Sequence, residues 1–182
     1  MTDNAFTAAT GPLDIAYRTV DSPVGTLLLA ATDIGLLRVA FAREDHNTVL
    51  ATLAQRVSPR IRRSPARLDN TARQLDQFFG RTRTAFDLSM DLRLAQGFRR
   101  TVVEHLQVIG YGQRETYAEV ADAVGSPRAV RAVGTACARN PLPIVIPCHR
   151  VVRSDGTPGQ YAGGTDAKQT LLAFEASSSD AE

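Results

Sequence analysis

The chain has 182 residues, 43% of them hydrophobic, with 21 basic and 19 acidic side chains and a net charge of +2. This is the composition of a globular protein, long enough for one domain or two small ones. It excludes a highly charged disordered chain, and no apolar run approaches the roughly 20 residues of a membrane span.

The N-terminal Met1-Thr-Asp-Asn has neither the basic region nor the apolar core of a signal peptide, so a cytoplasmic location is expected. Cys137 and Cys148 are then expected as reduced thiols rather than a disulfide. Two cysteines and three scattered histidines (His46, His105, His149) build no zinc site, and neither metal nor cofactor is expected.

Residues 1–13 are small and polar without periodicity and read as a loose tail. Three apolar runs follow, at 15–20, 26–31 and 36–41, separated by Ser22-Pro-Val-Gly25 and Asp33-Ile-Gly35. Glycine-containing gaps of that length predict hairpins, hence a three-stranded antiparallel meander. Helical spacing predicts helices over 46–57 and 68–79, the second stopped by Gly80. The arginine-rich stretch 60–67 between them reads as a surface loop, and His46 as solvated. Residues 86–92 alternate with period two and predict a further strand, with a subdomain boundary near Arg93.

A helix is expected over 98–109, with Phe98, Val102, Val103 and Leu106 on one face and His105 exposed. Thr116-Tyr-Ala-Glu119 is a capping box opening a helix over 117–124. Gly125 ends it, and Ser126-Pro127 reads as N-cap and first residue of the next helix. Two short helices around a glycine turn predict a helix-turn-helix. The second, over 127–138, is built mostly of small residues, which let its backbone approach another helix or a nucleic acid closely. Arg128, Arg131, Arg139, Arg150 and Arg153 crowd this region, opposed between 120 and 155 only by Asp122 and Asp155. That is the footprint of a phosphate-binding face, though a solvated helix face has the same look. Lys168 is the only lysine.

Pro141-Leu-Pro-Ile-Val-Ile-Pro-Cys-His-Arg-Val151 comes next. Its apolar run reads as a buried strand or extended segment, and Pro147 fixes the backbone just before Cys148. A free cysteine is often a small buried hydrophobe. As a nucleophile it would need a base, and His149 is adjacent. Neighbours on a strand face opposite ways, so the chain would have to leave strand geometry at Pro147, or a water would have to bridge the pair. Asp155, Asp166 and Glu175 compete to orient the histidine. The turn-rich loop 153–164 could wall a pocket, and a last helix is expected over 165–174, with a tail from 176.

Ile146-Pro-Cys-His-Arg-Val151 resembles the active-site signature of the O6-alkylguanine-DNA alkyltransferases, also called methylated-DNA–protein-cysteine methyltransferases. Tyr117, Arg131-Ala-Val-Gly134, Asn140-Pro141, Tyr161-Ala-Gly-Gly164 and Glu175 fall at that family's spacing from the cysteine. The resemblance is specific after Phe98 and generic before it. It implies an α/β (α+β) fold: an N-terminal RNase H-like subdomain with a small antiparallel sheet over 14–93, and a helical, winged-helix-like DNA-binding subdomain over 94–175.

It further implies that Cys148 accepts the alkyl group irreversibly, in a single turnover, from O6-alkylguanine in duplex DNA, with O4-alkylthymine a further candidate. Glu175 would orient His149, and His149 would deprotonate Cys148 through a water. Tyr117 would donate to the flipped guanine, and Asn140 would brace the turn before the cysteine. Arg131 would fill the gap in the stack. Thr116, Arg128, Ala129, Ala132, Gly134 and Arg150 complete the expected DNA contacts. Pro143, Val151, Tyr161, Ala162 and Gly163 would line the base pocket. The carbonyls of Cys148 and Val151 would accept from the guanine amine, and the Ala162 N–H would lie near its oxygen. A monomer is expected. Stacked bases cannot be reached by a thiolate without extrusion, which costs a few kcal/mol.

Three features depart from the family pattern. Val102-Val103 stands where an aromatic residue is common, Pro158-Gly159 enters the pocket loop, and no cysteine precedes Cys137. A non-catalytic binder of alkylated DNA is the competing class. The presence of Cys148 with His149 and Glu175 favours the transferase, because such binders lack the cysteine.

Overall fold

The computed structural model describes residues 14–177, so the expected tail at 1–13 and all but the first two residues of the one expected over 176–182 lie outside it. The first half is a four-stranded sheet in the order β3-β2-β1-β4, formed by β1 (Ile15–Val20), β2 (Leu27–Ala31), β3 (Leu36–Phe41) and β4 (Ile61–Arg63). The antiparallel meander of β1, β2 and β3 matches the sequence reading. Gly25 takes φ +97 and closes the first hairpin with a 3.0 Å bond to the Ser22 carbonyl.

The stretch expected as a surface loop instead contains β4, which pairs parallel to β1 with Ile61 opposite Ile15. Only Ile61 is buried, while Arg62 and Arg63 face solvent as charged residues on an edge strand do. One apolar residue in a basic run gives no period to read. Residues 86–92 are corrected the other way. They run beside β3 through a single bridge, Leu36 to Met90, and form no strand.

β2 is buried on both sides, which explains its unbroken apolar sequence. Leu28 and Ala30 face a layer with Val49, Leu50 and Leu53 of α1 (His46–Arg56). Leu27, Leu29 and Ala31 face the other core, with Leu75 and Phe78 of α2 (Asp69–Phe79). That second core runs on into the C-terminal half. It takes in Val102, Val103 and Leu106 of α3 (Phe98–Leu106), Val120 of α4 (Tyr117–Ala123), Val133 of α5 (Val130–Ala138) and Leu171 of α6 (Thr165–Ala176). α6 therefore reaches one residue into the expected tail.

The capping box forms as expected: the Glu119 N–H donates to the Thr116 hydroxyl at 3.1 Å, and the Thr116 N–H to the Glu119 carboxylate at 2.6 Å. Ser126 does not cap α5. Its carbonyl accepts from the Ala129 N–H at 2.8 Å, so Ser126 to Ala129 form a turn with Pro127 at its favoured second position, and α5 starts at Val130. His105 is not free on the surface but hydrogen-bonds Glu115 at 2.7 Å.

Gly35 has a backbone that packs on the Ser89 carbonyl, and a Cβ there would fall well inside contact distance of main-chain atoms. Gly35→Ala should therefore cost about 1–3 kcal/mol, as overpacking does. Chemical denaturation checks this, and an unchanged midpoint would mean that the 86–92 stretch shifts freely.

Candidate functional site

The cysteine segment is held by a turn rather than a strand. Asn140 spans it: its side-chain amide donates to the Ile146 carbonyl at 2.8 Å, and its oxygen accepts from the Leu142 N–H at 3.0 Å. The Ile146 N–H closes the turn onto the Leu142 carbonyl at 2.8 Å. Ile144 is forced to φ +74, a costly conformation for a β-branched residue that only an over-determined turn sustains. The run is buried as expected, but it folds back on itself instead of extending. After Pro147, Cys148–Arg150 form a 3-10 turn, so the chain leaves strand geometry where the cysteine–histidine pair requires it.

Residues Glu115–Thr116 (β5) pair parallel to Val151–Val152 (β6). This short ladder ties the start of α4, and with it Tyr117, to the exit of the cysteine turn. Cys148 is 2% exposed, His149 0% and Glu175 1%.

Among the rival carboxylates only Glu175 reaches the histidine. Asp155 is exposed and bonded to Thr157, and Asp166 is exposed at the start of α6. Glu175 Oε1 lies 2.7 Å from His149 Nε2. The same carboxylate takes Arg150 Nε and Nη2 at 2.9 Å each, and the Gly112 N–H at 3.2 Å. Burial pushes the Glu175 carboxyl up, but the hydrogen bonds from His149 and Arg150 outweigh it and bring it to about 2. Burial lowers the His149 pKa, against the opposing pull of Glu175. The ring is therefore neutral, and an ionised carboxylate can only accept. Nε2 carries the hydrogen, and Nδ1, which has no hydrogen-bond partner among the described residues, carries the lone pair.

Arg150, grouped on charge with the DNA-contacting arginines, is corrected here. It is 6% exposed, forks onto Glu175 and donates to the Ile109 carbonyl at 2.5 Å, so it balances the Glu175 charge inside the protein instead of facing a groove. Asp, Glu or Arg in a sequence says surface by default, and the partner lies 25 residues away.

The thiol is not a preformed thiolate. Burial pushes Cys148 up to about 11, with the Asn140 hydrogen bond and the Lys168 charge pulling back. Cys137 is pushed further up still, chiefly by burial. Lys168 is the residue sequence reasoning passed over. It is fully buried, and its Nζ donates to the Val151 carbonyl at 2.6 Å and to the Tyr117 hydroxyl at 3.3 Å. The spacing held a signal: Lys168 and Glu175 lie on the same stripe of α6 as Leu171 and Leu172, all buried. Tyr117 is raised to about 12, first by burial, so its phenol keeps its proton and can donate at neutral pH.

A cleft of about 800 Å³ opens in front of Tyr117, lined along α5 by Val130, Arg131, Gly134 and Thr135, and by Arg128, Arg153 and Gly159. Arg128 and Arg131 are exposed, and Ala132 shares that open surface, while Ala129 and Thr116 are half-buried. Val130 is an exposed apolar side chain at the helix start. Gly159, at φ +75, packs so closely that a Cβ would lie 2.6 Å from the Tyr117 hydroxyl. Tyr161 is buried edge-on against Phe41 at 5.4 Å, and its carbonyl takes the Gly164 N–H at 2.9 Å, with Ala162 and Gly163 between them half-buried. Pro143 is buried beneath the cysteine turn, bridged to Ile146. The Val151 carbonyl, already taken by Lys168, keeps a second lone pair.

Residues 15–92 match the family model for the 6-O-methylguanine DNA methyltransferase ribonuclease-like domain, and residues 97–177 that for the DNA-binding domain of the same proteins. A methylated-DNA–protein-cysteine methyltransferase of Mycolicibacterium paratuberculosis is 40% identical over 161 residues, 88% of this chain and 92% of the relative. The constitutive one of Bacillus subtilis is 35% identical, over 87% of this chain and 94% of the relative. The crystal structure of Mycobacterium tuberculosis O6-methylguanine methyltransferase superposes with a TM-score of 0.81 at 34% identity, covering 92% of this chain and 96% of that one. A structure of the Mycobacterium tuberculosis OGT in complex with DNA gives 0.79 at 35% identity, covering 89% and 93%.

The depressed Glu175 carboxyl makes a pH prediction. Its folded value lies below the ordinary 4.5, so it contributes stability above that pH and loses it as pH falls toward about 2. The contribution is on the order of 3 kcal/mol. Glu175→Gln should lower the midpoint at neutral pH and flatten the acid limb in urea titrations. A limb as steep as that of the wild type would assign the acid sensitivity to other carboxylates such as Asp91.

Proposed function

Because the chain belongs to the 6-O-methylguanine DNA methyltransferase family, we propose that it repairs O6-alkylguanine in duplex DNA by moving the alkyl group to its own Cys148. The observation that carries this reading is the buried Cys148–His149–Glu175 arrangement behind a basic, small-residue helix. DNA is the partner, the protein works as a cytoplasmic monomer, and O4-alkylthymine is a secondary substrate. Residues 14–93 and 94–175 serve as scaffold and reactive subdomain.

The small residues of α5 let its backbone lie in the minor groove, with Arg128 near phosphate and Arg131 entering the stack vacated by the base. Thr116, Ala129, Ala132 and Gly134 pack against the DNA, and the base enters between Tyr117 and the loop 159–163. The Cys148 and Val151 carbonyls receive its amine, and the Ala162 N–H approaches its oxygen.

The thiol proton then passes to His149 Nδ1 through a water. The sulfur attacks the alkyl carbon, the carbon–oxygen bond breaks, and guanine leaves as an anion that the Tyr117 O–H stabilises. The proton held on His149 is returned to it. A thiol with a pKa of about 11 reacts only when a base takes its proton in the same event, which gives Glu175 its purpose: it steadies the imidazolium that forms. Lys168, within reach of Val151 and Tyr117, adds a positive charge that favours sulfur and oxygen anions alike. The product thioether is a poor leaving group, so each protein acts once.

Intact-mass and peptide mass spectrometry after mixing with O6-methylguanine duplex should find one methyl group on the Cys148 peptide and no turnover. Methyl on Cys137, or several lesions repaired per protein, would overturn the assignment. Arg131→Ala should slow repair of duplex far more than reaction with free O6-benzylguanine, since the free base needs no extrusion. Equal losses on the two substrates would point to a folding defect instead.

A further inference from the structure

A second cleft, of about 500 Å³, lies between the two halves of the chain, away from Tyr117 and the thiol. Its walls are α1, the first turn of α3 and the end of α5, and its floor is Asn140-Pro141. Four arginines line it, Arg38, Arg56, Arg99 and Arg139, against the single carboxylate of Glu44. Arg38 is accounted for: its Nη2 binds Glu44 at 2.6 Å, and the other Glu44 oxygen takes the Phe41 N–H at 2.8 Å. Arg56, Arg99 and Arg139 have no ion-pair or hydrogen-bond partner among the described residues. Three unpaired guanidinium groups converging on a concave surface repel one another, so the arrangement calls for an anion to fill it.

Continuity with the other cleft identifies the anion. Ala138 lines both. Arg131, Thr135 and Ala138 follow one another along the open side of α5, and Arg139 comes next, turning the basic track into the second cleft. A sugar–phosphate strand lying along α5 would leave the helix at its C-terminal end and meet Arg139, then Arg99 and Arg56.

We propose that this cleft holds the phosphodiester backbone of DNA flanking the lesion, so that the N-terminal half, through Arg56, takes a direct part in DNA binding. The inference rests on the alkyltransferase reading above. It extends the footprint beyond the helix-turn-helix to a part of the chain that has no role in the chemistry. It also gives the two halves a shared ligand across their junction, next to the Asn140 turn that positions Cys148.

Salt dependence of duplex binding tests it, because each phosphate neutralised contributes about 0.9 to the slope of log affinity against log salt. The double variant Arg56→Gln/Arg99→Gln should reduce that slope by about 1–2. A control with equal charge loss outside the cleft, Arg62→Gln/Arg63→Gln, should leave it near the wild-type value. Both variants should react with free O6-benzylguanine at the wild-type rate, which shows that they fold. The proposal is overturned if the two variants have the same slope. It is also overturned if inorganic tripolyphosphate protects the wild type but not the cleft variant from thermal unfolding while the duplex slope is unchanged, since the cleft would then hold a free anion rather than DNA. Wild-type protein that binds no duplex at all would instead remove the alkyltransferase reading itself.

Discussion

The carboxylate of Glu175 is the group on which the reactive half depends. It lies in the core and is approached by an imidazole, a guanidinium and a backbone amide. Removing a carboxylate from water costs several kcal/mol, and here the cost is offset by four well-placed donors rather than by one counter-charge. Arg150 balances the charge, while burial, with a smaller push from Arg150, lowers the His149 pKa against the pull of Glu175.

The rest of the fold brings these groups to one place. α6 carries Lys168 and Glu175 two turns apart on a buried stripe, so one helix delivers a cation toward Tyr117 and an anion toward His149. The Asn140 turn, with Ile144 at positive φ, stores strain directly before the cysteine and is sustained by two side-chain hydrogen bonds from a single asparagine. The parallel ladder of β5 and β6 fixes the start of α4 against the same segment. The N-terminal sheet contributes no reactive group, but β3 holds the segment through the Val39 N–H, which donates to the Pro141 carbonyl at 2.9 Å.

What could be read from the sequence was what is local. The capping box at Thr116, the three-stranded meander and the presence of each expected helix follow from spacing within a few residues, and the structure keeps them, although the helix expected over 98–109 ends at Leu106 and the one expected from 127 starts at Val130. The cysteine signature and the fixed offsets to Asn140, Tyr161 and Glu175 named the family, which geometry alone could not have done, since three carboxylates competed. The misreadings involve distant partners. β4 exists because Ile61 finds Ile15, which no window around the arginines reveals. Ser126-Pro127 has the composition of a cap and of a turn alike, and packing chose the turn. Arg150 and Lys168 look like surface charges until the helix that buries them is in place. The high pKa of Cys148 follows from total burial, which an adjacent histidine in the sequence would never suggest.

The protonation state of His149 tests the relay most directly. Nitrogen-15 NMR of the imidazole ring, followed through neutral pH in the unalkylated protein, reports both charge and tautomer. A neutral ring with its hydrogen on Nε2 is expected, persisting as pH falls past the ordinary histidine value of about 6.5. An imidazolium at neutral pH, or a hydrogen on Nδ1, would mean that the ring cannot receive the Cys148 proton, and the relay would fail.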